Sequence, residues 1–131
     1  MRDSDVVVPI GFEATYARWH YAAAARAGNL LFVSGDIGVD ADGKVPADPE
    51  TQFAYAFESI GRTLQTAGGS FADVVDITSY HIDWTVHRDA FVAVKDRYLE
   101  APYPAWTAIG IAELGLPGAL VEIRVVANLS H

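Results

Sequence analysis

The most conspicuous candidate for chemistry is Trp106, in "PYPAWTAIGI" (102–111), where two prolines punctuate the chain just before a strand-like alternation of Ile109 and Ile111. An indole offers a flat apolar face, one neutral N–H donor, and a ring over which a cation can sit. It either lines a place where something binds or packs as core under a helix. A second candidate is Glu122, in "LVEIRVVANL" (120–129). A carboxylate there can orient water or act as a general base or acid. Alternatively it pairs with Arg124, two residues on and on the same strand face.

Other chemistries find no support. The four histidines, His20, His81, His87 and His131, form no H-x-x-H or H-E-x-x-H pair, so metal-ligand spacing is missing. His81 falls in a strand-like run and reads as a hydrogen-bonded core or interface histidine. No G-x-S-x-G elbow surrounds Ser34, and no phosphate loop occurs. Asp83 and Glu113 read as solvated acids rather than a catalytic pair. With no cysteine, thiol nucleophiles, disulfides and thiolate metal sites are excluded, which suits a reducing cytoplasm.

The elements that must position these residues follow from length and pattern. A chain of 131 residues, 51% hydrophobic, fits one domain with a sizeable core. Its net charge of −8 repels phosphate backbones, so no nucleic-acid partner is expected. The apolar run "LLFV" (30–33) is far shorter than the roughly 20 residues of a membrane span. The N-terminal "MRDSDVVVPIGF" lacks the basic start and long apolar stretch of a signal peptide. These features together predict a cytoplasmic protein without a membrane partner.

Asp48 and Pro49 are a helix cap and first-turn residue. Phe53, Phe57, Ile60, Leu64 and Ala67 then recur on one stripe until Gly68-Gly69 stops the helix. A second helix is predicted over 87–99, with Phe91, Val94 and Tyr98 along one side. Strands are predicted over 30–35, 74–82 and 120–129. In the last of these Val121, Ile123, Val125, Ala127 and Leu129 take one face, and Glu122 and Arg124 the other. The run "YAAAARAG" (21–28) reads either as helix, by its alanines, or as the first arm of a hairpin through Gly28-Asn29. Two single-striped helices cover one face of one mixed sheet, which makes the chain α+β and leaves a half-apolar face for a second subunit.

Three stretches in order, "YAAAARAGNLLFVSGDIG" (21–38), "AGGSFADVVDITSYHID" (67–83) and "YPAWTAIGIAELGLPGALVEIRVVA" (103–127), resemble the RidA, or YjgF, family, also called endoribonuclease L-PSP. The pattern around Trp106 is most similar to its YjgH-like branch. The resemblance implies a chorismate-mutase-like (ferredoxin-like) subunit, a homotrimer with a small-molecule cleft between neighbouring subunits, and 21–28 as strand. It also implies hydrolysis of 2-imino acids to 2-keto acids and ammonia, without a cofactor. By that likeness Glu122 is the catalytic residue, and Tyr21, Gly35, Asp36, Trp106 and Thr107 contact substrate. Asp36 stands where the family has glutamine, and Lys95 where it has asparagine.

The family's carboxylate-gripping arginine falls on Trp106. A guanidinium holds a carboxylate through two charge-assisted hydrogen bonds, and losing such a partner costs about 2–5 kcal/mol. The expected substrate is therefore an imine or enamine not anchored by that arginine, with Arg124, Lys95 or Arg18 as alternative sources of positive charge. A metabolite-binding homotrimer without catalysis is the rival reading. The endoribonuclease reading is disfavoured by the acidic balance.

Overall fold

Val121, Ile123, Val125 and Ala127 are buried while Arg124 and Asn128 face outward, so the last strand has one dry side and one wet side, as its alternation dictates. The structure, a computed structural model, describes residues 1–130; His131 lies outside the described residues. In chain order the elements are β1 (Val6–Val7), α1 (Glu13–Trp19), β2 (Ala24–Ala27), β3 (Leu30–Asp36), α2 (Pro49–Thr66), β4 (Val74–His81), α3 (Trp84–Lys95), β5 (Ala105–Gly110) and β6 (Val121–Asn128). The strands form one mixed sheet in the order β1-β2-β3-β6-β4-β5. Only β4 and β5 run parallel, and α3 is the crossover that a parallel pair requires. The last strand, β6, inserts between β3 and β4, antiparallel to both.

The expected stripe builds the core. Asp48 accepts the Thr51 backbone N–H at 2.9 Å, and Pro49 opens α2. Phe53, Phe57, Ile60 and Leu64 are fully buried against Leu31 and Val33 of β3 and the dry side of β6. Phe91 of α3 meets Phe53 edge-on at 5.4 Å and stacks on Phe57 at 5.9 Å. At the other end of α2, Arg26 donates to the Ala67 carbonyl at 2.6 Å, a cation where the helix dipole is negative.

The boundaries differ from expectation in four places. The hairpin arm starts at Ala24, leaving Tyr21 in the segment before it. The second long helix spans Trp84–Lys95 rather than 87–99, after Asp83 in the left-handed conformation at φ 52°. Leu99 and Tyr98 still pack on the core from beyond the helix end. A third, short helix, α1, buries none of its seven residues, so it carries no periodic signal. Finally, β5 begins at Ala105 and includes Trp106. As an edge strand it has no fully buried residue, and Ile111 lies outside it, so the half-buried strand expected there is largely exposed in the chain. No helix is long and apolar enough to cross a membrane among the described residues.

Gln52, buried in the first turns of α2, has no apolar role. Its Nε2 donates to the carbonyls of Pro46 and Gly118, each at 3.1 Å, and its Oε1 accepts the Leu120 N–H at 2.7 Å. One amide thus ties the loop entering α2 to the loop entering β6. Gln52→Leu leaves those backbone groups without partners, and unsatisfied buried groups cost about 1–3 kcal/mol each. The urea midpoint is expected to fall by an amount worth about 2–3 kcal/mol, with an unchanged m-value.

Candidate functional site

The site begins with one extra residue in β3. Val33 pairs with Val125 and Asp36 with Ile123, so three steps along β3 match two along β6. This is a bulge at Ser34-Gly35. Ser34 anchors it by donating its Oγ–H to the Ala22 carbonyl at 2.7 Å and its N–H to the Ala23 carbonyl at 2.9 Å. The bulge changes which side of the sheet the next residues face. Gly35 meets Glu122, so closely that a Cβ on residue 35 would stand 2.7 Å from Glu122 Oε2. Asp36 instead turns toward the helices, where its carboxylate accepts the Ser59 Oγ–H at 2.8 Å.

The electrostatics of this corner are coupled. Burial pushes the Asp36 carboxyl up to about 6; the Ser59 hydrogen bond and Arg62 oppose the rise, and the Glu122 charge adds to it. Burial also raises the Tyr21 hydroxyl, with further contributions from the charges of Asp36 and Glu122. Phe12 buttresses Tyr21 edge-on at 5.5 Å. Tyr21, Gly35, Asp36 and Glu122 therefore share one neighbourhood. Asp36 is engaged by Ser59 and does not stand free in solvent. Glu122 makes no hydrogen bond or ion pair among the described residues, so the alternative of an ion pair with Arg124 is not realised within the chain. Both line an open hollow of about 330 Å³ with Gly35 and Tyr80.

Trp106 and Thr107 lie elsewhere in the same chain. Trp106 pairs with Ile77 of β4 and so shares the helix-covered side. Its Nε1–H donates to Ser79 Oγ at 2.9 Å, and its ring lies 6.1 Å from both Phe91 and Trp84. The Lys95 ammonium sits 4.6 Å above the ring centre. The indole is still 37% exposed, so it packs under the second long helix and also reaches the surface. Thr107 faces the opposite side, beside Thr78. Glu122 pairs with Tyr80, and Tyr80 with Ile109, on that same open side. Trp106 is thus across the sheet from Glu122, two strands over and three residues along, or roughly 10 Å in each direction.

Ser59 and Ser79 escaped the sequence reading. For Ser79 a signal existed: it stands two residues from Ile77, on the side of β4 that the helices cover. Ser79 Oγ also lies 2.7 Å from His81 Nε2. His81 is fully buried between Trp84 and Phe91, at 4.4 and 4.6 Å, and burial lowers it to about 4. It is a neutral core histidine, as its strand position suggested. Among the described residues no cluster of His, Asp or Glu could hold a metal ion.

Comparison with known proteins matches this architecture. Residues 12–129 fit the family model for endoribonuclease L-PSP. The chain is 39% identical over 130 residues to the RutC family protein YjgH of Escherichia coli (strain K12), covering 98% of each. The solved structure of protein YjgH superposes with a TM-score of 0.87 at 38% identity, covering 96% of both chains. RidA from the Antarctic bacterium Psychrobacter sp. PAMC 21119 follows at 0.78 and 26% identity, covering 98% of this chain and 97% of that one. The chain belongs to the endoribonuclease L-PSP family, also known as RidA or YjgF, and has its α+β, chorismate-mutase-like fold. Within the family it is YjgH-like.

Asp36 provides a direct test of the corner's electrostatics. Its folded value lies above the ordinary 3.8, so ionising it costs the folded state. Stability is therefore lost as pH rises from about 4 through about 6. Asp36→Asn keeps an acceptor for Ser59 and carries no charge. The variant is expected to exceed the parent at pH 8 by up to about 3 kcal/mol, with the gain down to about 1 kcal/mol at pH 4.5. Urea midpoints at the two pH values check this.

Proposed function

We propose that the protein is a cytoplasmic homotrimer whose intersubunit clefts hydrolyse an imine or enamine to a carbonyl compound and ammonia, without a cofactor. In this reading Tyr21, Gly35 and Glu122 of one copy face the edge strand that carries Trp106 and Thr107 of the next, and Asp36 acts on them from the helix side. The observation that carries it is the uncommitted Glu122 carboxylate, held against the Gly35 backbone with no ion pair of its own among the described residues. A carboxylate in that condition is free to act on water. Two copies are invoked because Trp106 and Glu122 of a single chain stand on opposite sides of the sheet, too far apart for one small ligand.

The chemistry needs only one proton shuttle. Water adds to the C=N carbon as Glu122 takes one of its protons and passes it to the nitrogen, giving a carbinolamine. Glu122 then takes the hydroxyl proton and delivers it to the same nitrogen as the C=O bond forms and the C–N bond breaks, releasing ammonia. The sum is imine plus water to carbonyl plus ammonia. The Tyr21 hydroxyl, held protonated by its surroundings, can donate a hydrogen bond to the oxygen that develops charge.

The test is ammonia release from imines generated in situ by an amino-acid oxidase. The purified protein is expected to accelerate release, and Glu122→Gln to lower the rate by about 10²–10⁴-fold while the trimer persists in native mass spectra. Time courses no faster than buffer, alongside metabolites that raise Tm, would instead establish the non-catalytic binder. Cleavage of RNA that disappears in Glu122→Gln would establish the ribonuclease.

A further inference from the structure

We propose that Asp36 is a positioning residue that decides which way the Tyr21 hydroxyl turns its proton, acting through water held in a small cavity on the helix side of the bulge. The inference rests on the donor role given to Tyr21 above and adds its control. The cavity measures about 30 Å³ and is walled by Phe12, Tyr21, Ser34, Asp36, Ser59 and Thr63. That is room for one or two waters. Its polar groups are placed to hold them. Asp36 Oδ1 accepts the Ser59 Oγ–H at 2.8 Å, and Oδ2 has no partner among the described residues. Ser34 and Thr63 give their hydroxyl protons to the carbonyls of Ala22 and Ser59, so both offer the cavity acceptors only. The Tyr21 hydroxyl makes no hydrogen bond among the described residues.

The direction of this chain of bonds follows from the proton on Asp36. As a neutral acid Asp36 donates to the water, the water donates to the Tyr21 oxygen, and the phenolic proton is left for a ligand. As a carboxylate Asp36 accepts from the water, the water accepts from Tyr21, and the phenolic proton turns inward. Burial raises the Asp36 carboxyl to about 6, against the Ser59 bond and Arg62 of α2 and with a contribution from Glu122 of β6. The charges of Asp36 and Glu122 act in turn on Tyr21, and His20 precedes it in the chain. Asparagine at 36 reproduces the neutral acid: its Oδ1 accepts from Ser59 and its Nδ2 donates to the water.

NMR of the full chain carrying tyrosine labelled with ¹³C at Cζ tests this, the Tyr21 signal being identified by its loss in Tyr21→Phe. The parent signal is expected to shift with a midpoint near pH 6. In Asp36→Asn it is expected to stay at the parent's low-pH position from about pH 4.5 to about pH 8. Ser59→Ala removes a bond that favours the carboxylate, so its midpoint is expected above the parent's. A crystal structure is expected to show water in the cavity within about 3.2 Å of Asp36. A Tyr21 signal that does not move, a step that survives in Asp36→Asn as one from His20 would, a midpoint unmoved or lowered by Ser59→Ala, or a dry cavity would each overturn the proposal. Where Asp36→Asn fails to fold, Ser59→Ala decides. In ammonia release Asp36→Asn is expected to match the parent within about twofold at pH 5 and to exceed it about 10-fold or more at pH 8. Equal rates at both pH values, with Glu122→Gln inactive, would overturn this inference and leave the catalytic reading standing. An Asp36-dependent Tyr21 step without any imine turnover would leave this inference standing and overturn the catalytic reading.

Discussion

A single extra residue in β3 governs the whole corner. Without the bulge at Ser34-Gly35, β3 would keep strict alternation against β6, and the residues after Val33 would each fall on the other side of the sheet. The bulge puts Gly35 under Glu122 and turns Asp36 toward Ser59. Two acids are thereby held close enough to influence each other yet on opposite sides of the sheet. One is half-buried and reluctant to ionise; the other stays at an open surface. Glycine at 35 leaves room for the Glu122 side chain, and any larger residue there would displace that carboxylate.

Much of this architecture was legible because it is locally periodic. The α2 stripe needs only 3.6-residue repetition, and β6 only alternation; both elements lie where those patterns place them. The short α1 and the two-residue β1 carry no period to detect. The facing of β5 was illegible for a different reason. Which side Trp106 takes depends on its register with β4, set by a helical crossover and not by neighbours in sequence. Alternation told that Trp106 and Thr107 diverge; it could not tell which of them turns toward α3. Gln52 was hidden likewise, since its three partners come from loops at Pro46, Gly118 and Leu120.

That register also decides what Trp106 can do. Its N–H reaches Ser79, whose hydroxyl is shared with buried His81. If Ser79 donates to His81 Nε2, the imidazole proton sits on Nδ1, which has no partner among the described residues. If Nε2 carries the proton, Ser79 accepts two bonds and its own hydrogen must look elsewhere. An unsatisfied buried group of this kind costs about 1–3 kcal/mol. The aromatic shell of Phe91, Trp84 and Trp106 offsets this, and it keeps His81 neutral by excluding water. Trp106 is consequently a tethered, half-exposed ring rather than a free donor.

The open side of the sheet presents the converse case. Leu30, Phe32, Val75 and Ile109 are each more than a third exposed, interleaved with Thr78, Tyr80, Glu122 and Arg124. With both long helices on the opposite side, nothing among the described residues fully covers these apolar residues, and burying them would be favourable by roughly 25 cal/mol per Å². Such burial must still leave Glu122 and Arg124 hydrated or paired, because an isolated buried charge costs far more than a few apolar contacts return. Any cover that satisfies both demands meets the sheet over its apolar rows and stands off from the hollow between β3, β6 and β4. A second copy that covered this side would therefore enclose the acid and the guanidinium in a crevice and would not seal them away.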